Sequence, residues 1–173
     1  MGSPESWNVS DPRMEPMKPD QALHERVQAN PNLLSNLRRH SRLLAEVRRF
    51  FDDSGFVEVT TPCMLQHPDP APHLDSFATL LCGLAGKQLP LYLRTSPEHH
   101  MKRMLVAGLE RIYQIGPFFR NGEMTDVHNP EFTGLEWYQA GSSVEQAMDL
   151  TEALVRRCLL YTSDAADESS RGG

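Results

Sequence analysis

Residues 111–138 read RIYQIGPFFRNGEMTDVHNPEFTGLEWY. Arg111 to Phe119 and Glu131 to Tyr138 carry the aromatic and β-branched residues of two strands. Between them lies a polar segment too long for a tight hairpin, and a functional loop is the expected reason for that length. Glu136 and Tyr138 lie two apart and so share one face of the second strand. Glu136 stands between Leu135 and Trp137, where a strand carboxylate has little structural reason to exist.

The flanking sequence supplies the helices. Ser96 is placed to cap one whose first turn holds Pro97 and Glu98, where the positive end of the helix dipole favours a carboxylate, and Gly108 stands past its end. Just before it, LPLYLR (89–94) alternates like a strand, and QHPDPAPH (66–73), with three prolines, reads as loop. Further upstream Asn30 offers an N-cap and Pro31 a first helical residue. Leu33, Leu34, Leu37, Leu44, Val47, Phe50 and Phe51 then recur at helical spacing as far as Gly55. The run FVEVTTP (56–62) has strand propensity and closes at a proline. Downstream, Ser142 with Glu145 makes a capping-box pattern that opens a helix through Arg157, with Val144, Ala147, Met148, Leu154 and Val155 as its apolar stripe. Residues 1–29 are rich in Pro, Asp, Glu and Ser and are expected to form a flexible N-terminal arm.

Composition bounds the function classes. The 173 residues are 39% apolar and 23% charged, which is ordinary globular composition. With 17 Lys and Arg against 23 Asp and Glu the net charge is -6, so no strong basic field exists to hold a nucleic-acid backbone. Cys63, Cys82 and Cys158 lack CxxC spacing and make an odd count, which fits a reducing cytoplasm. No apolar run reaches membrane-spanning length and the first residues lack the build of a secretory signal, so a cytoplasmic protein without membrane contact is expected.

Three stretches together, GFVEVTTP (55–62), TSPEHHMKRMLVAG (95–108) and FFRNGEMTDVHNPEFTGLEWY (118–138), resemble motif 1, the substrate helix and motif 2 of class II aminoacyl-tRNA synthetases, in the family's order and spacing. HNPEFT with TSPE narrows the resemblance to the lysyl branch, and HMKR with LEWY is similar to the elongation factor P ligases within it. The resemblance spans about Leu33 to Arg157. It implies an α+β fold, an antiparallel sheet flanked by helices, and a partial catalytic domain over 30–157 that stops before motif 3. It also implies an ATP-dependent ligase that activates (R)-β-lysine, or lysine, as an adenylate and transfers it to elongation factor P. A lysyl-tRNA synthetase catalytic fragment and a synthetase-like binding module without activity are the competing readings. Only some thirty residues precede Leu33, too few for an anticodon-binding OB barrel, so no anticodon binding is expected. Homodimerisation through residues 33–62 is implied, because motif 1 forms the two-fold interface of the family.

The chemistry explains the residue types. Joining a carboxylate to the α-phosphate of ATP brings two anions together, so a fixed cation must sit where charge develops. Arg120, directly after an apolar strand, fits that catalytic role, since guanidinium can take two phosphate oxygens at once. Family matches assign ATP binding to Arg120, Asn121, Gly122, Glu123, His128 and Asn129, and adenine stacking to Phe132, although strand alternation could equally bury that ring. Mg2+ would bridge phosphate oxygens with few protein ligands. Lysine and β-lysine each carry two ammonium groups, which require carboxylates. Ser96, Pro97, Glu98 and Tyr138 match substrate-binding positions, with Glu136 added as an ammonium partner. Glu98 also suits the helix dipole, and both roles can hold together. No protein metal site is expected: His99 and His100 diverge on a helix, and His67, Asp69, His73 and Asp75 lack ligand spacing.

Two departures bear on ATP. Motif 2 usually opens Arg-x-Glu, whereas Gly122 stands here before Glu123, displacing the carboxylate by one residue. Asp126 occupies a position often basic in these ligases, and an acid near triphosphate is repulsive unless magnesium or a base compensates. From Cys158 to Gly173 the sequence departs from the family and resembles a translated sequencing adapter, so this tail is expected to be an artefact without regular structure, and the chain to be inactive without motif 3.

Overall fold

The computed structural model describes residues 23–83, 86–125 and 127–170. They fall into two compact units, one ending at His40 and the other beginning at Ser41. The first unit contains a short helix α1 (Leu23–Ala29) where the sequence suggests loose chain, and the rest of that arm lies outside the described residues. The following helix α2 (Leu33–Asp53) begins two residues beyond Pro31. The Asn30 side chain accepts from the Asn32 amide at 3.2 Å, so the asparagine caps as its sequence position suggests.

In the second unit, α2 ends in a Schellman motif. Gly55 adopts φ 75°, its N–H donates to Asp52 O, and the Phe56 N–H reaches back to Phe51 O at 2.9 Å. The Phe51 and Phe56 rings meet edge to face at 5.1 Å, the apolar contact that accompanies this stop. Helix α3 (Glu98–Val106) ends the same way at Gly108, with Leu109 N–H on Met104 O.

Strands β5 (Arg111–Phe119) and β6 (Glu131–Gln139) pair antiparallel with Arg111 opposite Gln139 and Phe119 opposite Glu131. Strand β1 (Val57–Glu58) adds in parallel to β5, giving the order β1-β5-β6. The expected strand over 56–62 is therefore cut to two residues, although the Val59 amide still donates to Tyr113 O. Its later carbonyls leave the ladder because the buried Arg94 guanidinium takes them: Nη1 donates to Thr61 O at 2.9 Å and Pro62 O at 3.3 Å. A second sheet, in the order β2 (Met64–Leu65), β4 (Gln88–Leu93), β3 (Ala78–Cys82), is antiparallel throughout. It joins the expected β4 to two strands that the sequence did not announce, β2 and β3.

Residues of odd number on β5 and β6 face the core. Tyr113, Ile115, Leu135 and Trp137 meet Val47, Phe50 and Phe51 of α2 and Leu154 of helix α4 (Val144–Ser170). Phe51, fully buried, stacks on Tyr113 at 4.7 Å. Helix α4 corrects three expectations. Its capping box is Ser143 with Gln146, whose bonds are reciprocal: Gln146 Oε1 accepts from Ser143 N–H at 2.9 Å and Ser143 Oγ accepts from Gln146 N–H at 3.3 Å. Its core stripe is Leu150, Leu154 and Cys158 at i, i+4 and i+8, while Val144, Met148 and Val155 are exposed. It also runs past Arg157 to Ser170, and no Gly or Pro interrupts that stretch.

Among the described residues no helix is long and apolar enough to cross a membrane.

Candidate active site

Residues of even number on β5 and β6 form the opposite face: Ile112, Gln114, Gly116 and Phe118 pair with Tyr138, Glu136, Gly134 and Phe132. Helix α3 lies against both strands with Met101 fully buried. The loop before it runs over this face. Arg94 O accepts from Phe119 N–H at 3.2 Å, and Arg94 Nε and Nη2 both donate to Pro117 O. Arg94 is 1% exposed, and the partners named are neutral oxygens, so the guanidinium acts as a bracket between the 61–62 segment and β5. Thr61 Oγ1, which also accepts from Arg94, donates on to Gln114 Oε1 at 3.0 Å.

At one end of the face Ser96, Glu98, Glu136 and Tyr138 come together. Ser96 Oγ donates to Glu136 Oε2 at 2.8 Å, and Tyr138 Oη donates to Glu136 Oε1 at 2.6 Å. Helix α3 takes Pro97 rather than the expected Ser96 as its N-cap, although Ser96 Oγ still accepts from the Glu98 amide at 3.1 Å and satisfies one of the orphan donors there. Burial pushes the Tyr138 hydroxyl far above the ordinary phenol range, and its bond to Glu136 and the charges of Glu136 and Glu98 push the same way. Tyr138 is thus a fixed proton donor, and both Glu136 oxygens are held at a defined angle. Glu98 carries an i,i+4 ion pair with Lys102 at 2.5 Å, so an ammonium group already occupies one of its oxygens. Pro97 is fully buried and makes no side-chain polar contact, so its contribution here is shape.

At the other end of the face the Arg120 guanidinium lies over the Phe132 ring, 5.2 Å from its centroid, and Phe132 stacks with Phe118 at 5.6 Å. Arg120 Nε is buried without a hydrogen-bond partner among the described residues, a costly state for a guanidinium donor. Gly122 adopts φ 81°, open to glycine without strain, and the chain turns there so that Glu123 Oε2 comes within 3.6 Å of Arg120 Nη1. The turn at Gly122 thus holds Glu123 against Arg120. The Arg120 amide donates to Pro130 O at 2.8 Å and closes the loop at its base.

His128 and Asn129 sit exposed near the far end of that loop. Thr125 and His128 hold each other through their backbones, and Thr125 Oγ1 lies 2.9 Å from His128 Nδ1. Asn121 is placed by its own N–H on Asp75 O at 2.9 Å. Asp126 lies outside the described residues. The structure thus unites Ser96, Glu98, Glu136 and Tyr138, and separately Arg120, Glu123 and Phe132, while among the described residues no hydrogen bond or ion pair joins His128 or Asn129 to either group.

Sequence reasoning passed over two residues that build the site. Arg94 could have been singled out as a charge ending the apolar strand LPLYL. Asp69 had no periodic signal at all, yet its Oδ2 accepts from Thr95 N–H at 2.6 Å, Thr95 Oγ1 at 2.8 Å and Ser96 N–H at 3.3 Å. A cavity nearby, about 550 Å³, is lined by His67, Asp69, His99, His100 and Arg103 but not by Glu136 or Tyr138. Among the described residues no group of three or more His, Cys, Asp or Glu is arranged to hold a metal ion.

The model of the tRNA synthetases class II (D, K and N) family matches residues 21–170. Two relatives are each 46% identical over 127 residues, which is 73% of this chain and 39% of the relative. Both bear the name elongation factor P--(R)-beta-lysine ligase, one from Hamiltonella defensa subsp. Acyrthosiphon pisum (strain 5AT) and one from Yersinia enterocolitica serotype O:8 / biotype 1B. The chain therefore spans about two-fifths of the length of the curated relatives it matches.

Proposed function

The chain belongs to the class II tRNA synthetases (D, K and N), and from that premise we propose that it forms part of an ATP-dependent ligase that activates (R)-β-lysine and passes it to a lysine of elongation factor P. The observation that carries this reading is the Glu136 carboxylate, both of whose oxygens are held, by Ser96 and Tyr138, with the Glu98 charge acting on the same Tyr138 hydroxyl. Two carboxylates suit a substrate with two ammonium groups, and a protonated Tyr138 with Ser96 holds Glu136 in place.

In this reading Glu98 and Glu136 take the ammonium groups and leave the substrate carboxylate free to attack the α-phosphate, from which pyrophosphate departs. Arg120 meets the charge that develops there, and its Nε, without a hydrogen-bond partner among the described residues, supports that role. Phe132, already beneath a guanidinium, offers an aromatic face for adenine, with Asn121, Gly122, Glu123, His128 and Asn129 around the nucleotide. Mg2+ would shield the phosphates during that approach. The lysine amine of elongation factor P then attacks the activated carbonyl and AMP leaves.

We further propose a cytoplasmic homodimer joined through residues 33–62, supported by the exposure of Leu34, Leu37 and Val57 in that segment. The test of function is ATP–pyrophosphate exchange by the intact gene product, whatever its length, with (R)-β-lysine or α-lysine. Exchange driven by (R)-β-lysine is expected. Preference for α-lysine together with charging of tRNA would overturn the proposal.

A further inference from the structure

We propose that Asp69 is a positioning residue for the diamino-acid pocket, setting the turn from which Ser96 orients Glu136. The inference deepens the function proposed above and rests on it. A single oxygen, Asp69 Oδ2, receives Thr95 N–H, Thr95 Oγ1 and Ser96 N–H at 2.6, 2.8 and 3.3 Å. Bonds to an ionised acceptor are about twice as strong as neutral ones, and three donors on one atom leave the Thr95–Ser96 backbone little freedom. Thr95 is 1% exposed, so loss of the carboxylate would leave its N–H and its hydroxyl without their acceptor in a buried position.

The restraint is passed on through Ser96. Its backbone is tied to Asp69, and its hydroxyl bridges Glu136 Oε2 and the Glu98 amide. A shift of this turn would move the donor that fixes one ammonium partner and the helix start that carries the other. Asp69 lines two cavities, one of about 60 Å³ with Thr95, Ser96, Glu98 and His99 and one of about 550 Å³ that neither Glu136 nor Tyr138 lines, and its Oδ2 is taken up by Thr95 and Ser96, so it acts on Glu136 through that turn. Its loop, held by Pro68 and Pro70 on either side, is pre-set in backbone φ, which lowers the entropy cost of presenting the carboxylate.

The test compares wild type, Asp69→Ala and Asp69→Asn as the full chain. Calorimetric titrations with (R)-β-lysine, with lysine and with ATP are run beside amide hydrogen exchange at Thr95 and Ser96. Asp69→Ala should weaken diamino-acid binding about tenfold, the loss expected for an ionic hydrogen-bond acceptor, and leave ATP affinity within about twofold. Exchange should accelerate at Thr95 and Ser96 while Ile112, Tyr113 and Gln114 stay protected. Asp69→Asn, whose amide oxygen can still accept from both backbone N–H groups, should recover most of the affinity. Equal losses for diamino acid and ATP, unchanged exchange at Thr95 and Ser96, or an Asn variant as weak as the Ala variant would each overturn the role of Asp69. If wild type binds no diamino acid, the function proposed above fails instead. That failure is recognisable, because exchange at Thr95 and Ser96 would still follow the Asp69 variants.

Discussion

The two faces of the β5–β6 pair arise from the same eighteen or so residues and have opposite chemistry. On the odd face, Tyr113, Ile115, Leu135 and Trp137 are covered by the aromatic and aliphatic residues of α2 and α4. On the even face, Gln114, Glu136 and Tyr138 keep polar groups in a hydrogen-bonded set with Thr61 and Ser96. Leu135, Glu136 and Trp137 are neighbours in sequence, yet the middle one belongs to a different environment from the other two, because a strand alternates with period two. Both faces bury apolar side chains, Ile112 and Phe118 on the even one with Met101 of α3, but the polar groups whose desolvation must be offset by partners are gathered on the even face. Substitutions on the two faces should therefore fail in different ways.

The largest effect is expected on the apolar side. Phe51→Ala removes a fully buried ring that touches Phe50, Phe56, Tyr113 and Trp137, and should cost about 3–5 kcal/mol in urea unfolding. Glu136→Gln should leave the urea midpoint close to wild type. A comparable loss from both variants would show that the polar set of the even face is structural as well.

A smaller loss is expected from Gly134→Ala. A Cβ there would stand 2.4 Å from the Phe118 ring, so the Phe118–Phe132 stack must shift, at about 1–3 kcal/mol. Thermal melts read the cost, and an unchanged Tm would mean that Phe118 can swing aside freely.

The smallest effect appears in alkaline solution. Tyr113 and Tyr138 are both raised above the ordinary phenol range, first by burial and then by nearby carboxylates: Asp52 and Glu58 for Tyr113, Glu136 and Glu98 for Tyr138. Unfolded tyrosine loses its proton near a pH of about 10, while the folded protein retains it. The unfolded state then binds fewer protons, so stability is full below that pH and falls as pH rises beyond it. Urea unfolding of Tyr113→Phe and Tyr138→Phe should show a shallower fall for each. Profiles parallel to wild type would contradict the burial assigned to both hydroxyls.

The sequence carried most of the regular structure and part of the site. Strands β5 and β6, helix α3 and the stop at Gly55 were legible because alternation, Ser96 and the two glycines act locally. What escaped depends on distant partners. The 56–62 strand stops early because Arg94, some thirty residues on, takes the Thr61 and Pro62 carbonyls. Strand β3 is exposed along its whole length, so it has no buried face to leave an alternating signature. The start of α4 was displaced by one residue because Ser142 and Ser143 both suit an N-cap, and only the bonds with Gln146 choose between them. Glu136 was recognisable as a carboxylate without a structural reason on a strand, whereas Asp69 was hidden in a proline-rich loop whose fold brings it to Thr95.

In the function proposed above, the even face receives a molecule with two ammonium groups. The most direct test of that claim is a calorimetric comparison of lysine with norleucine, which keeps the alkyl chain and lacks the second ammonium, for wild type and Glu136→Gln. Wild type is expected to bind lysine at least about tenfold more tightly than norleucine, the scale of one charge-assisted contact, and Glu136→Gln should remove most of that preference without unfolding. Equal affinity of wild type for the two, or a preference that survives in Glu136→Gln, would contradict the claim.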